Sequence, residues 1–118
     1  MGDRSQIAVK HSEGKIYIYS HNGGKDIYGA LSRALERKQR WNQPNYLTRI
    51  IFCEVVKGHE AEELGFGIDL AAHFDVEHPI PVVDCENQMI TWEENDERYP
   101  DLSFNDFIRA WNDPEFEG

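Results

Sequence analysis

Residues 15–20, Lys-Ile-Tyr-Ile-Tyr-Ser, place Ile16 and Ile18 on one face of an extended strand and Tyr17 and Tyr19 on the other. A strand with two usable faces belongs inside a sheet, so this one is expected to be central. His21-Asn22-Gly23-Gly24 ends it, and from residue 26 Ile27, Ala30, Leu31, Ala34 and Leu35 recur at helical spacing. Strand, glycine pair and amphipathic helix in succession force the helix to fold back onto the sheet with its apolar stripe inward. The turn between them also has chemical potential. A helix start leaves backbone N–H groups free and carries a partial positive charge, which together hold an anion. The competing reading is an ordinary tight turn, in which Asn22 and the glycines only meet backbone demands.

The remaining elements follow from the same patterns. Residues 6–10 form a strand joined to 15–20 by a Ser12-Glu13-Gly14 hairpin turn. The first helix covers 26–39. Pro44 suits the first turn of a second helix, 44–57, whose apolar side is Leu47, Ile50, Ile51 and Val55 and which Gly58 stops. Phe66 to Leu70 reads as a short strand. Pro79 and Pro81 put the start of the next strand at a sheet edge or outside the ladder. Val82–Asp84 and Met89–Glu93 form a hairpin around Glu86-Asn87. Ser103 caps a last helix, 103–111, that packs through Phe104, Phe107 and Trp111. The expected fold class is α+β. A mainly antiparallel sheet of four to six strands carries two adjacent helices on one face and a short C-terminal helix. All 118 residues are read as a single domain with a frayed tail, 112–118.

Charge divides the chain. Residues 1–53 hold nine Lys and Arg against four Asp and Glu, whereas residues 54–118 hold three against eighteen. A chain of net charge −10 is not expected to bind nucleic acid directly, unless Lys25, Arg33, Arg37, Lys38, Arg40 and Arg49 make a local patch. The alternative is that these are solvated helix-face charges. No apolar run is long enough to span a bilayer, and residues 1–6 lack the apolar stretch of a signal peptide. Cys53 and Cys85 do not make a C-x-x-C pair and read as small buried thiols. A soluble, cytoplasmic protein is expected, with no membrane partner.

Three clusters are candidate sites. The first is the turn itself: Ser20, His21, Asn22, Gly23, Gly24 and Lys25. It lacks the Gly-Lys-Ser/Thr close of a Walker loop and the G-x-G-x-x-G fingerprint, which disfavours ATP hydrolysis and dinucleotide redox chemistry. The second is Trp41 and Tyr46 as base stackers with Arg49 as a phosphate or carboxylate ligand. Arg49 lies one residue from the apolar stripe and is expected to be partly buried. The alternative has Trp41 joining the two helices and Arg49 paired with a nearby acid. The third, His73 to His78, offers four ligand-type side chains but fits no zinc spacing, as does His59-Glu60-Ala61-Glu62. Neither a metal nor a cofactor is expected. No catalytic residue is assigned, because nothing sets a base beside Ser20 or Cys53 and G-x-S-x-G is absent.

Ile16-Tyr17-Ile18-Tyr19-Ser20-His21-x-Gly23-Gly24, then Arg40-Trp41-Asn42-x-Pro44-x-Tyr46-Leu47-x-Arg49-Ile50-Ile51-Phe52, then Gly65-Phe66-Gly67-Ile68 and Glu77-His78-Pro79-x-x-Val82-Val83-Asp84, resemble an uncharacterised family of small phage- and prophage-encoded proteins. The resemblance spans about residues 15–92 and brings no activity. It implies a context: a small accessory phage protein in the host cytoplasm, of the kind that counters host defence. Related sequences are expected to carry an aromatic after the Ser-His pair, where this chain has Asn22.

Two functions fit. In the first, the basic, aromatic half binds a small anionic ligand such as a nucleotide signal and sequesters it without turnover. The site is then Ser20, His21, Asn22, Gly23, Gly24 and Lys25 with Arg33, Trp41, Tyr46 and Arg49. In the second, residues 54–118 act as an acidic decoy on a host nucleic-acid-binding enzyme. A homodimer is expected, from aromatic faces on both sides of strand 15–20 and a proline-blunted edge at 79–81.

Overall fold

β1 (Ser5–His11) and β2 (Gly14–Ser20) pair antiparallel, from Ser5 opposite Ser20 to His11 opposite Gly14, around the Ser12-Glu13 turn. The structure is a computed structural model that describes residues 3–73, 76–94 and 96–112. After the hairpin come α1 (Asp26–Glu36) and α2 (Pro44–Val55), then β3 (Phe66–Asp69), β4 (Pro81–Asp84), β5 (Met89–Trp92), β6 (Leu102–Ser103) and α3 (Phe104–Asn112). The strands form one sheet in the order β3-β2-β1-β4-β5-β6. Every neighbouring pair is antiparallel except β1 and β4, which run parallel through Ala8–Val82 and Val9–Val83. The class is therefore α+β with a mainly antiparallel, mixed sheet.

The strand alternation divides the apolar residues between two faces. Ile7, Val9, Ile18, Val83 and Ile90 pack with Ile27, Leu31 and Leu35 of α1, Leu47 and Ile51 of α2, and Phe104 and Phe107 of α3. One face of the sheet thus carries all three helices. Each fully buried large side chain there contributes about 1.5–3 kcal/mol. Tyr28 reaches furthest: its ring meets Trp92, Tyr99 and Trp111, and its hydroxyl donates to the Pro79 carbonyl at 2.6 Å. The other face is thinner. Ala8, Tyr17 and Val82 are covered by Ile80 and Val76 from the segment that crosses between β3 and β4. Tyr17 donates to Glu93, which also holds Lys15 at 2.6 Å.

Several boundaries differ from the sequence expectation. α1 stops at Glu36 rather than 39, because Lys38 and Arg40 take left-handed φ of 55° and 58° and turn the chain toward α2. α2 ends at Val55 rather than 57, and a turn leads to Gly58 at φ 87°. β2 is interior but second from the edge, since β3 lies outside it. The proline-blunted edge at 79–81 is not an edge. β4 is flanked by β1 and β5, and Pro81 is tolerated as its first residue, before the β1 pairing begins at Val82. Gln43 and Pro44 open α2 as expected, and the Ser103 hydroxyl accepts the Asp106 N–H at 3.1 Å at the start of α3. β6, two residues long, was not foreseen. Of the expected frayed tail, Asn112 ends α3 and donates to Glu36 at 2.9 Å, and 113–118 lie outside the described residues.

Candidate functional site

The backbone of the β2–α1 turn is largely engaged. His21 N–H donates to Gly65 O, Gly24 N–H to Asp3 O and Asp26 N–H to Gly23 O, at 2.8, 2.8 and 2.9 Å. The Gly23 N–H donates to Ser20 Oγ at 3.0 Å. The N–H groups of His21, Gly23, Gly24 and Asp26 are therefore satisfied within the chain and are not free to hold an anion. The glycines answer to crowding instead. A Cβ on Gly23 would sit 2.5 Å from Ser20 Oγ, and one on Gly24, at φ 51°, 2.1 Å from an Asp3 carboxylate oxygen. The turn is pinned on three sides, which makes it a rigid wall.

That wall borders a cavity of about 620 Å³, within the range of small-molecule sites. The turn supplies Ser20, His21, Asn22 and Gly23. α1 supplies Asp26, Ile27, Ala30 and Arg33. The end of α2 and the turn after it supply Glu54, Val55 and Lys57. The loop into β3 supplies His59, Glu62, Leu64, Gly65 and Phe66. Apolar and charged side chains both line it.

Arg33 owes its position to Glu54. Glu54 is 5% exposed and accepts Arg33 Nε at 3.2 Å and Arg37 Nε at 3.1 Å. Burial opposes its ionised form, but the hydrogen bonds from Arg37 and Arg33 outweigh that and hold its carboxyl below the usual carboxylate range. Arg33 and Lys57 are the cations of the cavity lining, beside the carboxylates of Asp26, Glu54 and Glu62, and Arg37 holds Glu54 from outside that lining. The Arg33 side chain is 57% exposed, and its bond to Glu54 uses only Nε. His21 Nδ1 lies 3.0 Å from the Tyr19 hydroxyl, which leaves Nε2 as the ring's other polar atom. His59 pairs with Glu62 and tilts over Phe66, ring centres 5.6 Å apart. Asp26 completes the polar lining, so the wall is mixed in charge.

The structure brings together Ser20, His21, Asn22, Gly23 and Arg33 of the sequence-derived site. Gly24 and Lys25 stand behind the wall, with Lys25 the residue that precedes α1. Trp41, Tyr46 and Arg49 do not line the cavity. Trp41 donates from Nε1 to Leu35 O at 3.0 Å and packs edge-on against Phe104, with ring centres 5.2 Å apart. Tyr46 lies under Arg40 at 4.9 Å. Arg49, expected to be partly buried, is exposed and reaches only Cys53 Sγ, at 3.8 Å; Cys53 itself is half-buried, and Cys85 is buried as expected. The geometry explains the separation: residues 41 and 46 flank the start of α2, whereas the cavity lies at its end.

Sequence reasoning missed Glu54, Lys57, His59, Leu64 and Phe66. Glu54 was legible: it falls three and four residues after Ile51 and Ile50 on the buried stripe, facing an Arg33/Arg37 pair spaced four apart. Of the third cluster, Phe74 and Asp75 lie outside the described residues. His73 bonds Asp69 at 2.9 Å, and His78 bonds Asp3 at 2.5 Å. Among the described residues no group of three or more His, Cys, Asp or Glu side chains is arranged to hold a metal, and no helix is long and apolar enough to cross a membrane. In the acidic half, Glu54, Glu77, Asp84, Glu93, Asp96 and Asp106 each hold a Lys or Arg. No family model matches the chain, and no curated protein and no solved structure matches it.

Proposed function

We propose that this chain binds a small anionic ligand of nucleotide size in the cavity between the β2–α1 turn, α1, the end of α2 and the β3 loop, and holds it without turnover. One observation carries the reading: Arg33 lines the cavity, fixed through Nε by a buried carboxylate that a second arginine also engages. Fixing a guanidinium in advance lowers the ordering cost of binding an anion with its remaining N–H groups. His21 Nε2 and Lys57 are further donors, and Phe66 with Ile27 and Leu64 gives an apolar surface for a base or similar ring. The contacts to the anion come from side chains, since the N–H groups of His21, Gly23, Gly24 and Asp26 are spent.

In the accessory-phage context that the sequence resembles, such binding is sequestration of a nucleotide signal. The test is a thermal-shift screen of mono-, di- and cyclic nucleotides and ADP-ribose derivatives. A ligand at 100 times its Kd adds about 2.7 kcal/mol, several degrees in Tm for a domain of this size. A shift that disappears in Arg33→Ala with His21→Ala supports the proposal. No shift with any compound, or the same shift in that variant, contradicts it.

A further inference from the structure

The two ends of the sheet are finished differently. At one end β6 is two residues long and runs directly into α3. At the other, β3 has no strand outside it among the described residues, and no proline or lysine within it. Short strands, prolines and lysines are the usual protection of an edge. Exposed apolar side chains lie in β3 and on both its flanks: Ile68 is 55% exposed, Leu64 before the strand 79% and Leu70 after it 82%.

The ladder says which backbone groups are free. β3 pairs with β2 through Ser20–Phe66, Tyr19–Gly67, Ile18–Ile68 and Tyr17–Asp69, and His21 N–H donates to Gly65 O at 2.8 Å just before it. In an antiparallel pair the bonded positions alternate, so Gly65, Gly67 and Asp69 bond inward to β2. The N–H and C=O groups of Phe66 and Ile68 therefore face outward along the open edge.

We infer that β3 is the docking edge for a second copy of this chain, joined antiparallel about a two-fold axis through Ile68, so that the two sheets continue as one. In that register Ile68 faces its own counterpart in a mutually hydrogen-bonded pair, and Phe66 faces Leu70 in both directions. Phe66 and Ile68, whose backbone groups face outward, are thus the strand residues that pair, and Leu70 extends the pairing one residue beyond β3. Gly67 faces Asp69, so the strand's one acid meets a glycine, whereas an axis at Asp69 would set two carboxylates opposite each other. An axis at Gly67 would also set Phe66 against Ile68 and Asp69 against Gly65, but it puts two glycines, with no side chain to pack, at the centre of the contact where the Ile68 axis puts two isoleucines. A closed two-fold contact also leaves no free edge to propagate. Each copy carries a net charge of −10, so the pair assembles against long-range repulsion and tightens as salt is raised. This inference shares Phe66 and Leu64 with the cavity lining but rests on the backbone edge, and Ile68, which does not line the cavity, separates the two.

The test is sedimentation of the full chain across a concentration series, with site-directed crosslinking. The weight-average mass should rise from 13.7 kDa toward twice that value with concentration, and more readily at high salt. Ile68→Lys should stay monomeric with an unchanged circular dichroism spectrum. In a Cys53→Ser background, Ile68→Cys should oxidise to a covalent dimer, because facing bonded residues have Cα atoms about 5.5 Å apart, within disulfide reach. Phe66→Cys should not, unless combined with Leu70→Cys. A chain that stays monomeric at every concentration, a dimer unaffected by Ile68→Lys, or Phe66→Cys crosslinking as readily as Ile68→Cys would overturn the inference.

Discussion

The β2–α1 turn and the α1–α2 connection begin with similar materials. Both join a regular element to a helix, and both place polar side chains beside cations and aromatics. In the turn, backbone bonds to Asp3 and Gly65 and the Ser20 hydroxyl fix a wall that looks into a cavity. In the connection, the same kinds of side chain are consumed in holding the chain together. Trp41 closes on Leu35 and Phe104, and Arg40 covers Tyr46 and bonds Gln43 at 2.8 Å. An aromatic beside an arginine is a ligand site only where the fold leaves a void next to it. That difference rests on tertiary packing, and substitutions can probe it from either side.

The largest effect is expected in the connection. Trp41→Ala removes a half-buried ring, its contact with Phe104 and a hydrogen bond. It should cost about 2–3 kcal/mol, below the usual range for a fully buried Trp, and leave ligand affinity unchanged in the folded fraction. Denaturant unfolding and calorimetric titration read the two separately. A Trp41→Ala variant of normal stability that no longer binds would reverse the comparison.

Next comes Glu54, which belongs to both stability and site. Glu54→Ala should cost about 2 kcal/mol, since it strips a buried carboxylate from two arginines that are themselves partly exposed. The sign of the pH dependence follows from its lowered value. A carboxyl whose folded pKa lies below its unfolded value, about 4.3 for Glu, stabilises above that pH and loses the contribution as pH falls through the folded value. Asp84 and Glu93 are lowered too: burial opposes them, but hydrogen bonds from Asn87, and from Lys15 and Tyr17, outweigh it. Thermal unfolding should weaken steeply on acidification from about pH 4.3, and Glu54→Gln should flatten part of that slope. An unchanged slope would remove Glu54 from the account.

Arg33→Ala should weaken ligand binding about tenfold, equivalent to about 1.4 kcal/mol, with little loss of stability because Arg37 still holds Glu54. Arg49→Ala and Tyr46→Ala should do least, within about 0.5 kcal/mol in stability and with no change in binding. A binding defect in either would restore the second cluster to the site.

What the sequence revealed and what it hid follow the range of the interactions. The β1–β2 hairpin, the β2–α1 turn, the Pro44 entry to α2 and the Ser103 cap are written in residues a few positions apart, and they were legible. The parallel pairing of β1 with β4 is not encoded locally, so Pro81 was read as an edge signal when it opens an interior strand. The end of α1 was overrun because Lys38 and Arg40 show no glycine to mark their left-handed turns, and that of α2 because Gly58, read as its stop, follows a turn after Val55. Within the site, the contiguous turn and Arg33 were legible. Lys57, His59 and Phe66 were not, because they join it only when β3 folds against β2.

Backbone NMR of the labelled protein, titrated with whichever nucleotide or ADP-ribose derivative gives the largest thermal shift, tests the central claim most directly. The amides of residues 20–23, 33 and 57–66 should move together along one binding curve, while those of 40–49 stay in place. Movement centred on Trp41, Tyr46 and Arg49, with the 20–23 turn unaffected, would contradict the account.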